Sequence, residues 1–282
     1  MVRLGIDLGG TNIAVGVVNE QNEIIGTASV KTMAPRPAEE IADSMREACL
    51  LALGEARMTL DDVASVGVGT PGAVNEEGVV EFSANLGFND TPLRDLVAER
   101  LGKPTYIEND ANCAALAETV AGAAIGCENM VLITLGTGVG GGIIHNGKIF
   151  HGSNGMAGEV GHMVLCRDEK EPCNCGKLGC AEQYCSATGM VRLATRRLAE
   201  DAAPSVLRSA EKLTCKDVFD ASAAGDAAAQ AILEQVYDLM GQFLANVCCV
   251  ADPEVVVLGG GVSKAGQMLL DGVDPYFQKY IF

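Results

Sequence analysis

Two stretches of the chain repeat the same succession of apolar and polar positions. Residues 2–28 read "VRLGIDLGGTNIAVGVVNEQNEIIGTA" and residues 130–152 read "MVLITLGTGVGGGIIHNGKIFHG". In each, short runs rich in β-branched residues flank first a Gly-Thr turn and then a polar turn, which predicts strand, turn, strand, turn, strand. Such self-similarity predicts two related domains. The alternative is a chance likeness between two glycine-rich hairpins.

Outside these hairpins, helical and strand periodicities alternate along the chain. Apolar spacing predicts helices over 38–57, 91–101, 111–122, 187–200 and 226–250. The apolar runs "VASVGVG", "PTYIEND" and "VVVLGGG" read as strands, the first and last of them buried. Thr91 is the predicted N-cap of the second helix, with Pro92 at its first position. The alternation predicts an α/β fold with parallel pairing in two domains, 1–109 and 110–282.

Charge, apolar content and cysteine number limit the kinds of partner that this protein can bind. The 282 residues carry 37 acidic and 20 basic side chains, a net charge of −17, and no basic cluster, so we expect no nucleic acid partner. Neither a secretory leader nor a run of about 18 apolar residues without glycines is visible, so we expect a cytoplasmic protein without a membrane partner. The 11 cysteines are then expected to be reduced. Five of them are predicted to be small core residues: Cys49, Cys113, Cys127, Cys248 and Cys249.

The two Gly-Thr turns are candidates for binding phosphate. Glycines let the backbone approach a ligand closely, and a threonine adds a hydroxyl and N–H donors. No Gly-Lys-Ser/Thr follows "DLGGTN", so it is not a P-loop. Two such turns facing each other across a cleft would hold a polyphosphate, and Asp7 would hold Mg²⁺ through water. The candidate residues are Gly9, Gly10, Thr11, Thr137 and Gly138. The alternative is a pair of tight hairpins with structural glycines.

The segment "IENDANCAA" places Asn109 and Asp110 at the carboxyl end of a predicted strand, just before a helix. Ligands of open α/β sheets gather at that edge. Asp110 is therefore a candidate general base, kept ionised by the helix N-terminus. The alternative is that Asp110 only caps the helix.

Four cysteines fall within "CNCGKLGCAEQYC", and His162 precedes them. Cys173, Cys175 and Cys180, together with His162, make a closed set of four ligands that suits structural zinc. A disulfide between Cys173 and Cys175 would be strained. Free thiols are the remaining alternative, and Cys185 is a minor candidate ligand.

Taken together, these segments resemble the ROK family (repressors, open reading frames and sugar kinases). The resemblance covers nearly the whole chain and rests on "DLGGTN", "GTPG", "NLGF", "IENDAN", "LGTGVGGG", "GEVGH", "CNCGKLGCAE" and "DPEVVVLGGG", in the family's order. It implies a two-domain, actin-like ATPase (ribonuclease-H-like) α/β fold with a ligand cleft between the domains and a zinc knuckle. Members also usually continue beyond the last helix with a further strand and helix.

The resemblance also implies roles for individual residues. Asp110 would deprotonate a sugar hydroxyl, and six other residues would bind the sugar: Gly72, Asn85, Asn109, Glu159, His162 and Glu182. Asp7 and the two Gly-Thr turns would face the ATP phosphates. Gly259, Gly260 and Gly261 would lie under the nucleoside.

The implied reaction is phosphorylation of a hexose by Mg·ATP, foremost of glucose to glucose 6-phosphate, by a homodimer or homotetramer. Rival substrates are N-acetylmannosamine, fructose and allose. A ROK-type sugar-responsive regulator would need a helix-turn-helix ahead of the first hairpin, and that hairpin begins at residue 2.

Overall fold

The computed structural model describes all 282 residues and divides the chain into two compact units. The first unit contains Met1–Ala117 and Gly152–Met156, and the second contains Glu118–His151 and Ala157–Phe282. The division falls within one helix, Asp110–Ala121. The domain boundary expected after residue 109 lies at the start of that helix and stays a prediction.

Twelve strands and eight α-helices make up these units. The strands are β1 (Val2–Leu8), β2 (Asn12–Val18), β3 (Ile24–Lys31), β4 (Val63–Thr70), β5 (Ala73–Val74), β6 (Val80–Ser83), β7 (Phe88–Thr91), β8 (Thr105–Asn109), β9 (Met130–Leu135), β10 (Val139–His145), β11 (Lys148–Ile149) and β12 (Val255–Gly259). The helices are α1 (Ala38–Glu55), α2 (Leu93–Leu101), α3 (Asp110–Ala121), α4 (Glu182–Cys185), α5 (Ala187–Glu200), α6 (Cys215–Ala223), α7 (Ala227–Ala251) and α8 (Gln267–Tyr280). No helix combines the length and the apolar character that crossing a bilayer requires.

The first unit is built on a five-stranded mixed sheet in the order β3-β2-β1-β4-β8. The first three strands are antiparallel neighbours, and β1, β4 and β8 run parallel. Strand β1 alternates strictly between buried and exposed residues, as expected of a strand with one face on a core. Helix α1 covers that face with Ile41, Met45, Cys49 and Leu53, all of them buried. The predicted hairpin and the parallel pairing are confirmed in this unit.

The second unit repeats the hairpin and adds a larger helical layer. Its sheet has the order β11-β10-β9-β12, with β9 and β12 parallel and the other pairs antiparallel. Strand β9 is buried at all but one position, because it pairs on both sides within the sheet. Helix α7 runs for 25 residues through this unit's core and packs against α8. Capping side chains fix the helix starts: Ser186 for α5, Thr214 for α6 and Asp226 for α7.

Four details of the sequence prediction need correction. Thr91 ends β7 and does not cap α2, whose N-cap is Pro92. The small sheet of β5, β6 and β7 was not expected, since its strands are only two to four residues long. Of the five cysteines expected in the core, only Cys49 is buried; Cys113, Cys127 and Cys248 are half-buried and Cys249 is exposed. Strand β12 is only partly buried, with Val257 alone in the core.

Candidate active site

The parallel strands of the first unit bring three predicted site segments to one edge of its sheet. In the register of the sheet, Asp7 of β1 lies beside Gly69 of β4, and Thr70 lies beside Asn109 of β8. The turn containing Gly72 follows β4, and α3 follows β8. Since carboxyl ends of parallel strands meet at the same edge, the motifs "DLGGTN", "GTPG" and "IENDAN" converge there although they lie far apart in sequence.

Asn109, rather than Asp110, caps α3. The Asn109 Oδ1 accepts hydrogen bonds from the backbone N–H groups of Ala111 at 2.9 Å and Asn112 at 3.2 Å. Its Nδ2 donates to the Gly72 carbonyl at 3.2 Å. Asp110 is the first residue of the helix and is exposed, with only its Oδ1 bonded, to the Ala111 N–H at 2.9 Å. The carboxylate of Asp110 is therefore held at the helix N-terminus while much of it remains accessible to a ligand.

The carboxyl of Asp7 is affected by burial and by the charge of Asp110. Asp7 is an exposed residue, but neighbouring protein atoms displace part of the water around its carboxyl group. This desolvation raises the pKa of Asp7. The negative charge of Asp110 raises the pKa of Asp7 further. A cation near the two carboxylates would relieve this repulsion, as expected for a residue facing Mg·ATP.

Close packing requires glycine at position 72 of the first unit, whereas Gly10 marks a contact between two segments. Gly72 has a φ of +110°, and a Cβ there would lie 2.2 Å from the Phe82 carbonyl oxygen. At Gly10, a Cβ would lie 3.4 Å from the carbonyl oxygen of Asn85, so the first Gly-Thr turn and "NLGF" are neighbours. The structure thus brings the predicted phosphate residue Gly10 beside the predicted sugar residue Asn85.

The second Gly-Thr turn joins β9 to β10 and lies beside the turn that follows β12. Gly136 N–H donates to the Gly138 carbonyl at 3.0 Å, which closes the turn. Gly260 has a φ of +83°, and a Cβ there would lie 2.6 Å from the Leu135 carbonyl oxygen at the end of β9. The predicted phosphate residues Thr137 and Gly138 and the predicted nucleoside residues Gly259–Gly261 therefore share one sheet edge.

Glu182 reaches the second Gly-Thr turn from the start of α4. Its Oε2 accepts the Val139 N–H at 3.0 Å, and the thiol of Cys173 lies 3.4 Å from its Oε1. The Ala187 N–H, at the start of α5, donates to the Gly136 carbonyl at 2.9 Å. Both ends of the turn are thus bonded to the segment that follows the cysteine cluster.

The motif "GEVGH" lies against β10. A Cβ at Gly161 would stand 2.2 Å from the Val139 carbonyl oxygen, so only glycine permits this approach. Glu159 precedes a short 3₁₀ helix, Val160–His162, and its Oε2 lies 3.7 Å from the Nε2 of His162. The two predicted sugar residues therefore present a carboxylate oxygen and a ring nitrogen next to each other.

The predicted metal ligands form one tight cluster. The ligand atoms of His162, Cys173, Cys175 and Cys180 all lie within 4.8 Å of one another. The Sγ of Cys173 is 3.8 Å from the Nδ1 of His162, and the Sγ atoms of Cys175 and Cys180 are 3.6 Å apart. Tetrahedral zinc with bonds of about 2.3 Å to sulfur separates its ligand atoms by about 3.8 Å, so the donor set fits this ion. Cys185 is fully buried and is not part of the cluster.

An open pocket of about 120 Å³ in the second unit connects several of these residues. Thr137, Cys173 and Glu182 all line it. Its other walls include Thr188 and Arg192 of α5. The predicted phosphate turn and the cysteine cluster thus meet at one solvent-accessible cavity.

Sequence reasoning missed two residues that support these segments. Thr32 is fully buried, and its Oγ1 donates to the Gly9 carbonyl at 2.6 Å. Gln183 is 8% exposed and bonds to three backbone groups of the cysteine cluster. Thr32 belongs to no quoted motif, and Gln183 lies within "CNCGKLGCAEQYC" but was given no role there.

Comparison with known proteins places this arrangement in a family. The ROK family model matches residues 3–282. A glucokinase of Halalkalibacterium halodurans is 40% identical over 98% of this chain and 85% of its own length. An N-acetyl-D-glucosamine kinase of Vibrio cholerae is 34% identical over 92% and 84%.

A solved structure agrees with these sequence relatives. The ROK family glucokinase from Streptomyces griseus, in complex with glucose and AMPPNP, superposes with a TM-score of 0.82 at 36% identity. The match covers 100% of this chain and 90% of that one. The actin-like α/β fold expected from the motifs is therefore confirmed, and the chain belongs to the ROK family.

Proposed function

We propose that this protein is an ATP-dependent hexose kinase that transfers the γ-phosphoryl group of Mg·ATP to a sugar hydroxyl, with glucose as the foremost substrate. One observation supports this most directly. The exposed carboxylate of Asp110 stands at the carboxyl edge of the first unit's sheet, in a chain 36% identical to a glucokinase crystallised with glucose and AMPPNP. A relative named as a glucokinase, 40% identical over nearly the whole chain, agrees.

In this proposal Asp110 is the general base. Its Oδ1 is oriented by the Ala111 N–H, and its second oxygen accepts the proton of the attacking sugar hydroxyl. Asn109 caps the helix and bonds to Gly72, so it positions Asp110 and retains one N–H for the sugar. General-base assistance of this kind contributes roughly 10²–10⁴ in rate.

The remaining sugar contacts would come from polar groups of both units. Glu159 and His162 would present an oxygen and the Nε2 nitrogen to neighbouring hydroxyls, and Glu182 would offer its Oε1, which also faces the Cys173 thiol at 3.4 Å. In the first unit, Asn85 and the backbone at Gly72 would add further contacts. Such hydrogen bonds to hydroxyl groups give strong discrimination among sugars.

The phosphates would be bound by the backbone of the two Gly-Thr turns, at Gly9, Gly10, Thr11, Thr137 and Gly138. The Gly9 N–H already donates to the Asn12 carbonyl at 3.0 Å, so the N–H groups of the other four residues would face the phosphates, and the nucleoside would rest on Gly259–Gly261. Asp7 would hold the Mg²⁺ that accompanies ATP, through water. Phosphoryl transfer proceeds through a loose transition state, so positioning and charge stabilisation are the main tasks of these residues.

His162, Cys173, Cys175 and Cys180 would hold zinc. A zinc ion with four protein ligands has no open position for water, so its contribution is architectural. The Nδ1 of His162 faces the thiols, which leaves Nε2, beside Glu159, for the sugar. The cluster would therefore determine the orientation of the His162 ring and place Glu182, two residues beyond Cys180.

The first test is ADP release with Mg·ATP across glucose, mannose, fructose, allose, N-acetylglucosamine and N-acetylmannosamine. We expect glucose to give the highest kcat/KM. The N-acetyl-D-glucosamine kinase of Vibrio cholerae makes N-acetylglucosamine the strongest competitor. If an amino sugar gives the highest value, the kinase proposal stands and the substrate is corrected. Absence of ADP release with every sugar would contradict the kinase proposal.

The second test concerns the base. Asp110→Asn should lower kcat about 10²–10⁴-fold while sugar affinity changes little, because the amide keeps the shape but accepts no proton. Asp95→Asn, an exposed position on α2, is the matched control and should leave kcat unchanged. A variant Asp110→Asn that keeps more than about a tenth of the activity would remove Asp110 from this role.

A further inference from the structure

We propose that Gln183 positions the cysteine cluster, so that the affinity of the protein for zinc depends on this side chain. The inference depends on the zinc site put forward above and concerns a residue outside its ligand set. Three steps lead to it: the contacts of the amide, the anchoring of the segment that it bonds, and the cost of assembling thiolate ligands.

The amide of Gln183 joins two segments that carry metal ligands. Its Oε1 accepts the N–H of Gly179 at 2.8 Å and the N–H of Cys180 at 3.1 Å. Its Nε2 donates to the carbonyl of Glu171 at 2.9 Å, two residues before Cys173. One buried side chain therefore bonds the backbone next to both the first and the last cysteine ligand.

The segment that contains Glu171 is itself held in place by the contacts of Glu169. Glu169 is buried, and its carboxylate accepts two hydrogen bonds from Arg196 of α5, at 2.8 and 3.0 Å, and one from Tyr184 at 2.7 Å. It also accepts the N–H groups of Lys170 and Glu171. The arginine, the tyrosine and these amides hold the pKa of Glu169 far below its usual value, so it stays ionised. Gln183 thus links the cysteine cluster to a segment that the core of the second unit holds in place.

Bringing three thiolates together costs free energy, because their charges repel and the loop that carries them must be ordered. A side chain that fixes the backbone in the ligating arrangement reduces the ordering cost at the time of binding. Partners that orient metal ligands from outside the ligand set typically account for about 10–100-fold in metal affinity. Gln183 makes its three bonds to backbone and none to a sulfur, so its effect would act through the position of the ligands.

The experiment measures zinc affinity by competition with a chromophoric chelator, on the full-length protein. Gln183→Met keeps the length and removes all three hydrogen bonds, and we expect zinc to bind about 10–100-fold more weakly. Gln278→Met, on the exposed side of α8, where Gln278 bonds only to Asp274, is the matched control and should bind zinc like the wild type. An equal affinity of Gln183→Met and wild type, within about twofold, would overturn the inference.

The zinc-induced shift in Tm separates positioning from a general loss of stability. Zinc should raise the Tm of the wild type more than that of Gln183→Met, since weaker binding gives a smaller shift at the same zinc concentration. An equal zinc-induced shift contradicts the proposal, whatever the Tm of the metal-free variant.

If Gln183→Met does not fold, Gln183→Glu replaces it. It loses the donor to Glu171 and adds a negative charge near the thiolates, so we expect at least tenfold weaker binding. Unchanged affinity overturns the inference. A wild type that binds no zinc would overturn the metal site and this inference together, and the sugar panel would still decide the kinase proposal.

Discussion

The two Gly-Thr turns follow the first strands of two similar hairpins, yet different chemistry supports them. In the first unit, a neutral side chain holds the turn: the Thr32 hydroxyl bonds to the Gly9 carbonyl at 2.6 Å, and the Thr32 N–H bonds to the Thr11 carbonyl at 2.9 Å. In the second unit, a carboxylate holds it: Glu182 accepts the Val139 N–H at 3.0 Å. The two hairpins thus share the same order of strands and turns, whereas the side chains that stabilise their turns differ.

This difference has a functional consequence under the proposed assignment. Thr32 directly follows β3 in the first unit and has no other predicted role. Glu182 is also a predicted sugar residue and lies next to the cysteine cluster. The side chain that supports the second turn is thus itself a predicted sugar residue beside the metal cluster, whereas the side chain that supports the first turn has no such role, although Gly10 of that turn lies beside Asn85.

The strongest test compares one added methyl group in each turn. A Cβ at Gly138 would lie 2.2 Å from the Glu182 Oε2, so Gly138→Ala forces the carboxylate away and breaks its bond to the Val139 N–H. Losing a hydrogen bond to a charged group costs about 1.5–3 kcal/mol, so ADP affinity should fall roughly tenfold or more. In Gly10→Ala the added Cβ would lie 3.4 Å from Asn85, which is an ordinary contact distance. ADP affinity should therefore change less than about threefold in this variant. Calorimetric titration with ADP measures both.

A double variant shows whether Glu182 transmits the effect. In a Glu182→Ala background the added methyl group has no carboxylate to displace, so Gly138→Ala should then cost little further affinity. Additive losses would mean that the methyl group obstructs the nucleotide directly, and the claimed support by Glu182 would be wrong.

The second test removes the neutral support of the first turn. Thr32→Val is close to isosteric at a fully buried position and deletes only the hydroxyl bond to the Gly9 carbonyl. The free energy of unfolding should fall by about 1–3 kcal/mol, because a buried acceptor loses its partner. Thr195→Val, whose hydroxyl bonds to a helix carbonyl at an exposed position, is the control and should change it by less than about 0.5 kcal/mol. Urea unfolding of the wild type, Thr32→Val and Thr195→Val measures these free energies of unfolding. Equal values for the two variants would contradict the proposed role of the Thr32 hydroxyl.

Much of this architecture was predictable, because the glycine turns interrupt clear apolar runs. Both hairpins, the parallel pairing and the helices over 187–200 and 227–251 follow from periodicity that agrees with packing. The start of α2 was not predictable from its residues, since Thr91 pairs with Val80 in a strand too short to show a period. The pairing of Thr91 with Val80 in the folded protein therefore outweighs the tendency of threonine to cap a helix.

The site was predictable where chemistry imposes a spacing. Three cysteines and a histidine indicate a metal in any fold, and their clustering agrees with that prediction. The role of Asn109 as the cap of α3 was ambiguous, because asparagine and aspartate are equally good caps and stand side by side. The contacts of Thr32 and Gln183 depend on which loops meet in space, and no residue spacing reports that.

The smallest predicted effect concerns Asp7, the carboxylate next to the first turn. Desolvation and the charge of Asp110 raise its pKa, so the folded protein favours the neutral form. This contribution to stability is fully present below the ordinary pKa of about 3.9 and is lost as the pH rises through the raised value. Asp7→Asn is neutral at every pH. It should therefore raise the Tm at pH 7 slightly, and the gain over wild type should shrink as the pH falls towards 4.

Thermal unfolding without nucleotide, from pH 4 to pH 7, measures this gain, and groups common to both proteins cancel in the difference. Asp95→Asn is again the control, because its carboxylate is exposed on α2. Replacing Asp110 with Asn removes one of the two causes of the shift, so the gain from Asp7→Asn should be smaller in that background. The two carboxylates would be shown not to interact if the Tm gain from Asp7→Asn increased as the pH fell, or if it were the same with and without the Asp110 carboxylate. A cation near the first turn would then relieve no repulsion between them.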